Sequence, residues 1–327
     1  MTAPIHPTAV ATREERLKRA LFRGAALTLE NDVYRRAVRD LTDILLRGDI
    51  GKLDLTVEGL GTTRETVSAE ILAREPGVVA GLAEVGFLLR ERAVEVAFEK
   101  KDGDAIRPGD VLLRAKGCEA ELLSLERIGL NVLQRMSGIA TAARLAQQRA
   151  ARGNPNVHVV GTRKTLWGLL DKRALHVGNG GTHRLNLGDA ILIKNNHLAL
   201  LAAREEEAVG PAIARAWKLR GESAFIEVET RSESAALAAA NEFAHAQDQS
   251  GEDYPCLVML DNMQPERIKS VVATLKQEDL WDFVLLEASG GILESNLEAY
   301  AASGVDAISM GALTHSARAL DISQKIS

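Results

Sequence analysis

Residues 161–197 read GTRKTLWGLLDKRALHVGNGGTHRLNLGDAILIKNNH. An apolar run, Val157 to Gly161, ends as this stretch begins, and a second, Ala190 to Lys194, ends just before Asn195-Asn196-His197. Each run has the length of a buried strand, and each gives way to polar side chains. Basic residues crowd between them: Arg163, Lys164, Lys172, Arg173, Arg184 and Lys194 stand against only Asp171 and Asp189. The whole chain has a formal net charge of -5, so this is a cationic centre in an acidic protein. Such a centre suits a small polyanion better than a broad nucleic-acid surface.

Outward toward the C-terminus the same rhythm repeats. Phe225–Thr230, Cys256–Asp261, Phe283–Ala288 and Val305–Met310 read as strands. Helical segments follow the first three, from Ser232 to about Ala244, Pro265 to Lys276 and Leu293 to Ala302. Strand–helix alternation implies parallel strands with right-handed crossovers. Six strands in succession end in polar or glycine residues: Arg163-Lys164, Lys194-Asn195, Glu227 with Glu229, Asp261-Asn262, Ser289-Gly290-Gly291 and Gly311 to His315. A β/α barrel builds its site at that end of every strand, whereas an open doubly wound sheet uses one crevice. A barrel is therefore expected.

Toward the N-terminus the pattern is different. Residues 1–30 read as a polar arm with a short helix, and Asn31 caps a helix whose inward face is expected at Val33, Ala37, Leu41 and Leu45. Gly48 is expected to end that helix. Between Thr66 and Ala115 short apolar runs, one helix and Gly-containing turns suggest a small α+β domain. Glu119–Arg152 is one long amphipathic helical stretch, with a kink or break expected at Ser137-Gly138. The domain reading is 1–30 arm and helix, 31–125 sandwich, 126–310 barrel and 311–327 tail, the tail being a candidate to pack on the sandwich.

Composition excludes several classes. No apolar run approaches the ~20 residues of a membrane span, and the first twenty residues lack the apolar core of a secretory signal. Two cysteines, Cys118 and Cys256, have no metal or redox spacing, which suits a reduced, cytoplasmic setting. Aromatics at 4% give no stacking platform for nucleic acid. Gly178-Asn179-Gly180-Gly181 lacks the lysine and hydroxyl of a P-loop, and no G-x-S-x-G elbow occurs.

By residue type, Arg163, Lys164, Arg184 and Lys194 can neutralise carboxylates or phosphates. Glu229 and Asp261 can hold a hard cation such as Mg²⁺, or else pair with neighbouring bases. Ser289-Gly290-Gly291 and Gly311-Ala312 offer unhindered amides to a phosphate, or form plain strand-to-helix turns.

These residues lie in a set of motifs that resembles the quinolinate phosphoribosyltransferases. The set runs Glu126-Arg127-x-x-Leu130-Asn131, Met136 to Thr141, Thr162-Arg163-Lys164-Thr165, His183-Arg184-Leu185 and Asp189 to His197. It continues with Glu227-Val228-Glu229, Leu260-Asp261-Asn262, Glu287-x-Ser289-Gly290-Gly291 and Gly311 to Ser316, in the family's order. The resemblance implies an N-terminal α+β open-faced sandwich and an incomplete seven-stranded α/β barrel. It implies Mg²⁺-dependent transfer of phosphoribose from phosphoribosyl pyrophosphate to quinolinate, with loss of CO₂, giving nicotinate mononucleotide and pyrophosphate for NAD synthesis. Arg163, His183, Arg184 and Lys194 would hold the quinolinate carboxylates, joined by Arg127 from the neighbouring subunit of a homodimer. Lys164 and Lys172 would contact the donor, Glu229 and Asp261 its ribose and Mg²⁺, and Ser289, Gly290, Gly291, Gly311 and His315 its 5′-phosphate. Lys164, Glu229 and Asp261 are the expected catalytic residues.

The chain departs from the family pattern at Gly161, Trp167, Leu170, Arg173, Asn179 and Asn195. These changes keep the charges for both substrates but are expected to alter the walls of the acceptor pocket. A phosphoribosyltransferase for another aromatic acid or base is thus the alternative, followed by a non-catalytic anion-binding barrel.

Overall fold

A computed structural model describes residues 11–61 and 65–326. Residues 1–10, on which the polar-arm expectation falls, lie outside the described residues. The strands are β1 Thr66–Ala73, β2 Gly77–Val78, β3 Glu95–Phe98, β4 Ala105–Ile106, β5 Val111–Cys118, β6 His158–Val160 and β7 Ile191–Ile193. They continue with β8 Ile226–Thr230, β9 Cys256–Asp261, β10 Leu285–Ser289, β11 Ala307–Ser309 and β12 Ile322–Ile326. The chain divides into two compact units, each assembled from separate segments. One takes the residues up to Arg23, Ala146–Arg163 and His183–Met310; the other takes Gly24–Leu145, Lys164–Thr182 and the residues from Gly311 onward.

The first unit is a parallel sheet in the order β6-β11-β10-β9-β8-β7. All five neighbouring pairs are parallel, as the strand–helix rhythm requires. The resemblance implies seven strands; six are hydrogen-bonded into this sheet among the described residues. The Glu205–Trp217, Glu233–Ser250 and Pro265–Gln277 helices return the chain between strands. The Arg13–Leu21 helix opens with a capping box at Thr12 and Glu15. It buries Leu17, Ala20 and Leu21 in one cluster with Phe225, Leu257, Leu285 and Ala307, residues at or next to strand starts. Apolar packing thus occupies the N-terminal side of the sheet, and the strand C-termini are left to carry polar chemistry.

The second unit is built on an antiparallel sheet ordered β12-β1-β5-β3. On β1 the inner positions Ala69, Ile71 and Ala73 are buried, while Glu70 on the outer face pairs with Arg114 of β5. One face is packed and one is open, the period-2 arrangement of a half-buried sheet. The C-terminal β12 pairs with β1, from Ala69 opposite Ile326 to Ala73 opposite Ile322.

Expectations about two helices are corrected here. Asn31 does cap the Asp32–Asp49 helix through the Val33 and Tyr34 amides, but the buried stripe is Tyr34, Val38, Thr42 and Leu46. Val33 is 68% exposed. The stripe lies one residue further on because Tyr34 reaches inward and its hydroxyl donates to buried Glu84 at 2.7 Å. This helix also runs through Gly48, and the turn at positive φ comes at Gly51. The second correction is the Glu119–Gly153 helix, which is continuous across Ser137-Gly138. Ser137 Oγ bonds both the amide and the carbonyl of Ala80. A Cβ on Gly138 would fall 2.0 Å from the Arg318 carbonyl oxygen. Small residues sit there because backbone approaches backbone, not because the helix bends.

Candidate active site

In the parallel-sheet unit the expected residues cluster by charge. Arg184 is 6% exposed, and one of its terminal nitrogens donates to the Ala190 carbonyl at 3.3 Å. Burial, and then the charge of Arg163 nearby, hold its guanidinium below the usual arginine range. Two guanidiniums whose charges act on one another can receive an anion together. Lys194 follows β7, with its amide on His197 Nδ1 at 2.9 Å and its ammonium exposed.

Glu229 and Asp261 lie at or near the ends of adjacent strands β8 and β9. Burial, and next the charge of Asp261, push the Glu229 carboxyl above its ordinary range, while Lys194 and Arg231 pull it back. Asn195 donates to Glu229 at 2.5 Å, and Arg231 reaches Asp261 at 3.3 Å. Two crowded carboxylates with oxygen donors suit Mg²⁺, so the residues present fit the ion that the family resemblance implies. Of the two, Asp261 pairs with a neighbouring base, Arg231, whereas the hydrogen-bond partner of Glu229 is the Asn195 amide.

At the end of β10, Gly290 and Gly291 have φ of 89° and 64°. A Cβ on Gly290 would meet Asn262 Oδ1 at 2.4 Å, so only glycine allows this approach to β9. Ser289 accepts from Ser309 Oγ at 2.9 Å, joining the ends of β10 and β11.

The antiparallel-sheet unit carries the other expected residues. A Cβ on Gly311 would stand 3.1 Å from both the His315 ring and Lys164 Cδ, so these three converge. Thr314 Oγ donates to the Lys164 carbonyl at 2.8 Å, fixing the backbone of that lysine. Arg127 is 58% exposed on the Glu119–Gly153 helix, and a loose 3.8 Å contact joins it to Glu126. Lys172, expected to touch the donor, is instead 1% exposed, with its ammonium donating to the Thr182 carbonyl.

Sequence reasoning missed what holds this loop. Asp171, fully buried, accepts a two-pronged contact from Arg135 at 2.9 and 2.8 Å and also the amides of Leu166 and Trp167. Isolated charges in a basic stretch gave no cue to that pairing. The departure at Arg173 also has a place. Its guanidinium lies 3.9 Å from Asp102, and its charge acts on the buried Glu84 carboxyl. Arg173 and Asn179 line a cavity of about 330 Å³ with Asp102, Arg144 and His176. Among the departures, Asn195 touches an expected site residue directly, namely Glu229.

The sequence reading named His183, Glu227 and Glu287 separately but did not join them into one buried trio. They bring ligand-type atoms within 4.8 Å of one another. Both carboxylates are 0% exposed and His183 is 5% exposed. Their signal was period 2: Glu227 precedes Glu229 by two, and Glu287 precedes Ser289 by two, so all point to one face. Burial and the neighbouring Glu287 charge push Glu227 up to about 7. Burial alone would lower His183, but the two carboxylates outweigh it and raise the ring to about 9.

Known proteins resemble the chain over most of its length. The description "Quinolinate phosphoribosyl transferase, C-terminal domain" matches residues 139–325, and the corresponding N-terminal domain matches residues 54–137. A relative from Methanothermobacter thermautotrophicus, named a probable carboxylating nicotinate-nucleotide pyrophosphorylase, is 38% identical over 289 residues. That match covers 88% of this chain and 98% of the relative. The carboxylating nicotinate-nucleotide pyrophosphorylase of Rattus norvegicus is 35% identical over 274 residues, covering 83% of this chain and 86% of its own length. Among solved structures, NadC from Streptococcus pyogenes superposes with a TM-score of 0.75 at 32% identity, covering 89% of this chain and 96% of that one.

Proposed function

The chain belongs to the quinolinate phosphoribosyl transferase family, and from that premise we propose that it makes nicotinate mononucleotide. It transfers phosphoribose from phosphoribosyl pyrophosphate to quinolinate, releasing pyrophosphate and CO₂, in the synthesis of NAD. The observation that carries this reading is Arg184, a nearly buried guanidinium whose charge is opposed by that of Arg163. A pyridine dicarboxylate relieves their repulsion, and Lys194 supplies a third cation for its carboxylates. Arg127 is assigned to the site of the neighbouring subunit in a homodimer.

On the donor side, Lys164, Gly311 and His315 converge as a cradle for phosphate oxygens, and Ser289, Gly290 and Gly291 offer amides and a hydroxyl. Glu229 and Asp261 would hold Mg²⁺, whose charge, when bound, neutralises the departing pyrophosphate. The same carboxylates stabilise positive charge developing on the ribose ring. The pyridine nitrogen attacks the anomeric carbon as the bond to pyrophosphate breaks. The carboxylate beside the new pyridinium then leaves as CO₂, its bonding electrons remain on the ring carbon, and a solvent proton takes its place. Orientation by the arginines is most of what this second step requires.

The test is to incubate purified protein with quinolinate, phosphoribosyl pyrophosphate and Mg²⁺. Nicotinate mononucleotide and CO₂ should form in equal amounts. Folded protein that forms neither would remove this reading.

A further inference from the structure

Residues 164–168, the loop that begins with Lys164, belong to no helix or strand. A circuit of hydrogen bonds inside the antiparallel-sheet unit fixes them instead. Asp171 is fully buried, and its Oδ2 accepts the amides of Leu166 at 3.0 Å and Trp167 at 3.1 Å. Arg135, on the Glu119–Gly153 helix, donates two further N–H groups to the same carboxylate. One of its terminal nitrogens also donates to the Thr314 carbonyl at 3.1 Å. The Thr314 hydroxyl stands 2.8 Å from the Lys164 carbonyl and 3.2 Å from that of Gly311, and shares its proton between them. The circuit thus returns to the loop from which it started.

A buried carboxylate is costly unless donors surround it. Here four N–H contacts do so. Such a pair adds little stability beyond an apolar pair of the same shape. What it adds is a single geometry, because a planar fork and two converging amides fit together in one arrangement. Lys164 is therefore held from two directions: its own carbonyl by Thr314, and the chain two and three residues further on by Asp171. Thr314 shares a short helix with His315, and Gly311 precedes that helix. The circuit ties both halves of the Lys164, Gly311 and His315 cradle to one buried charge pair. Trp167, a departure from the family pattern, lies with its ring 5.2 Å from the Arg135 guanidinium and adds a cation–π contact.

We propose that the Arg135–Asp171 pair is a latch that holds Lys164 set for the phosphates of the donor before the donor arrives. Both are positioning residues and act through Lys164. The inference rests on the reading of Lys164, Gly311 and His315 as the donor's phosphate cradle. A lysine whose backbone is already placed has less freedom to lose when it binds a phosphate.

The test is steady-state kinetics on variants of the pair. Asp171→Asn keeps an acceptor for the loop amides but removes the charge, and Arg135→Lys keeps the charge but removes the fork. Each should raise the KM for phosphoribosyl pyrophosphate about tenfold and leave the KM for quinolinate within about twofold. Arg135→Ala should do more harm than Arg135→Lys, again on the donor side alone. The double variant Arg135→Lys/Asp171→Asn should be no more than about twofold worse than the more impaired single variant, because both act through one loop. Penalties that multiply in full would overturn the proposal. So would a loss that falls equally on both substrates, or a lowered melting temperature with both KM values unchanged, since either marks a merely structural pair. A second measurement needs no variant that must fold, only wild-type protein without substrates. The Leu166 side chain is exposed, so slow exchange of its amide hydrogen has to come from the bond to Asp171. The Leu166 and Trp167 amides should exchange on the order of a hundredfold more slowly than in an unstructured chain. Unprotected amides, or protection that appears only after phosphoribosyl pyrophosphate is added, would overturn the latch. If the wild-type protein makes no nicotinate mononucleotide, the functional reading fails separately, and the exchange rates still decide whether the loop is held.

Discussion

Single residues in this protein are best understood by the charges around them. His183 and Glu227, buried beside Glu287, hold their protons more tightly than they would in water. Glu227 rises from 4.5 to about 7 and His183 from 6.5 to about 9. Both folded values exceed the unfolded ones, so the native state binds more protons between pH 4.5 and 9. Stability is then greatest at the acid end of that window and falls as the pH rises through it. Thermal melts from pH 5 to 9 should record the decline, and Glu227→Gln should flatten it; a wild-type profile already flat would contradict the assignment. Arg173 makes a different prediction. It faces Asp102 and Glu84, two buried acids whose carboxyls rise mainly through burial. Arg173→Leu removes their nearby cation and should cost about 2 kcal/mol in urea unfolding. A loss under about 0.5 kcal/mol would mean that the acids are neutral without it. The sequence made Arg173 conspicuous as a departure, yet its partners come from segments some 70 and 90 residues away, beyond the reach of local pattern.

At the scale of elements, existence was legible and orientation less so. The six parallel strands follow from apolar runs that end in polar residues, because a strand buried on both faces is uniformly apolar until it reaches solvent. Helix faces are set by finer balances. In the Asp32–Asp49 helix the stripe at Val33, Ala37, Leu41 and Leu45 is the more apolar one, yet the chain buries Tyr34 and Thr42. Tyr34 satisfies Glu84, and the Thr42 hydroxyl returns to the carbonyls of Val38 and Arg39. Polar groups satisfied inside can thus rotate a helix by one residue against its hydrophobic pattern. Paired substitutions test that register. Val38→Ala should destabilise the protein by about 1–3 kcal/mol through a cavity, and Val33→Ala by no more than about 0.5 kcal/mol. The reverse order would restore the face expected from sequence. The Leu169–Val177 helix was not foreseen at all. Gly168 at its start and Gly178 at its end bound a segment too short and too charged for periodicity to reveal.

For the whole molecule, the sequence supplied the order of motifs but not which segments pack together. Both compact units draw on separate parts of the chain, and β12 completes a sheet begun some 250 residues earlier at β1. Pairing over such distances leaves no trace in a local window, whereas a strand-end motif is local by nature. Arg127 carries the same lesson one level higher. It stands on the Glu119–Gly153 helix, 58% exposed, with its cationic head in a loose 3.8 Å contact with Glu126 among the described residues. An exposed arginine with so little to hold it is of small value to its own subunit's stability, but it is well suited to reach an anion bound by a neighbour. In a twofold dimer with shared sites, Arg127→Ala spoils one contribution to each site and Lys194→Ala spoils the other. When the two inactive variants are unfolded, mixed in equal amounts and refolded, half of the dimers are hybrids. Each hybrid has one site with both defects and one with neither, so about a quarter of wild-type activity should return. Each variant refolded alone should stay inactive, which separates true complementation from residual turnover. Hybrids verified by differential tagging that remain inactive would place Arg127 in the site of its own subunit or outside any site. Recovery would establish that the acceptor pocket is finished only when a second copy of the chain arrives.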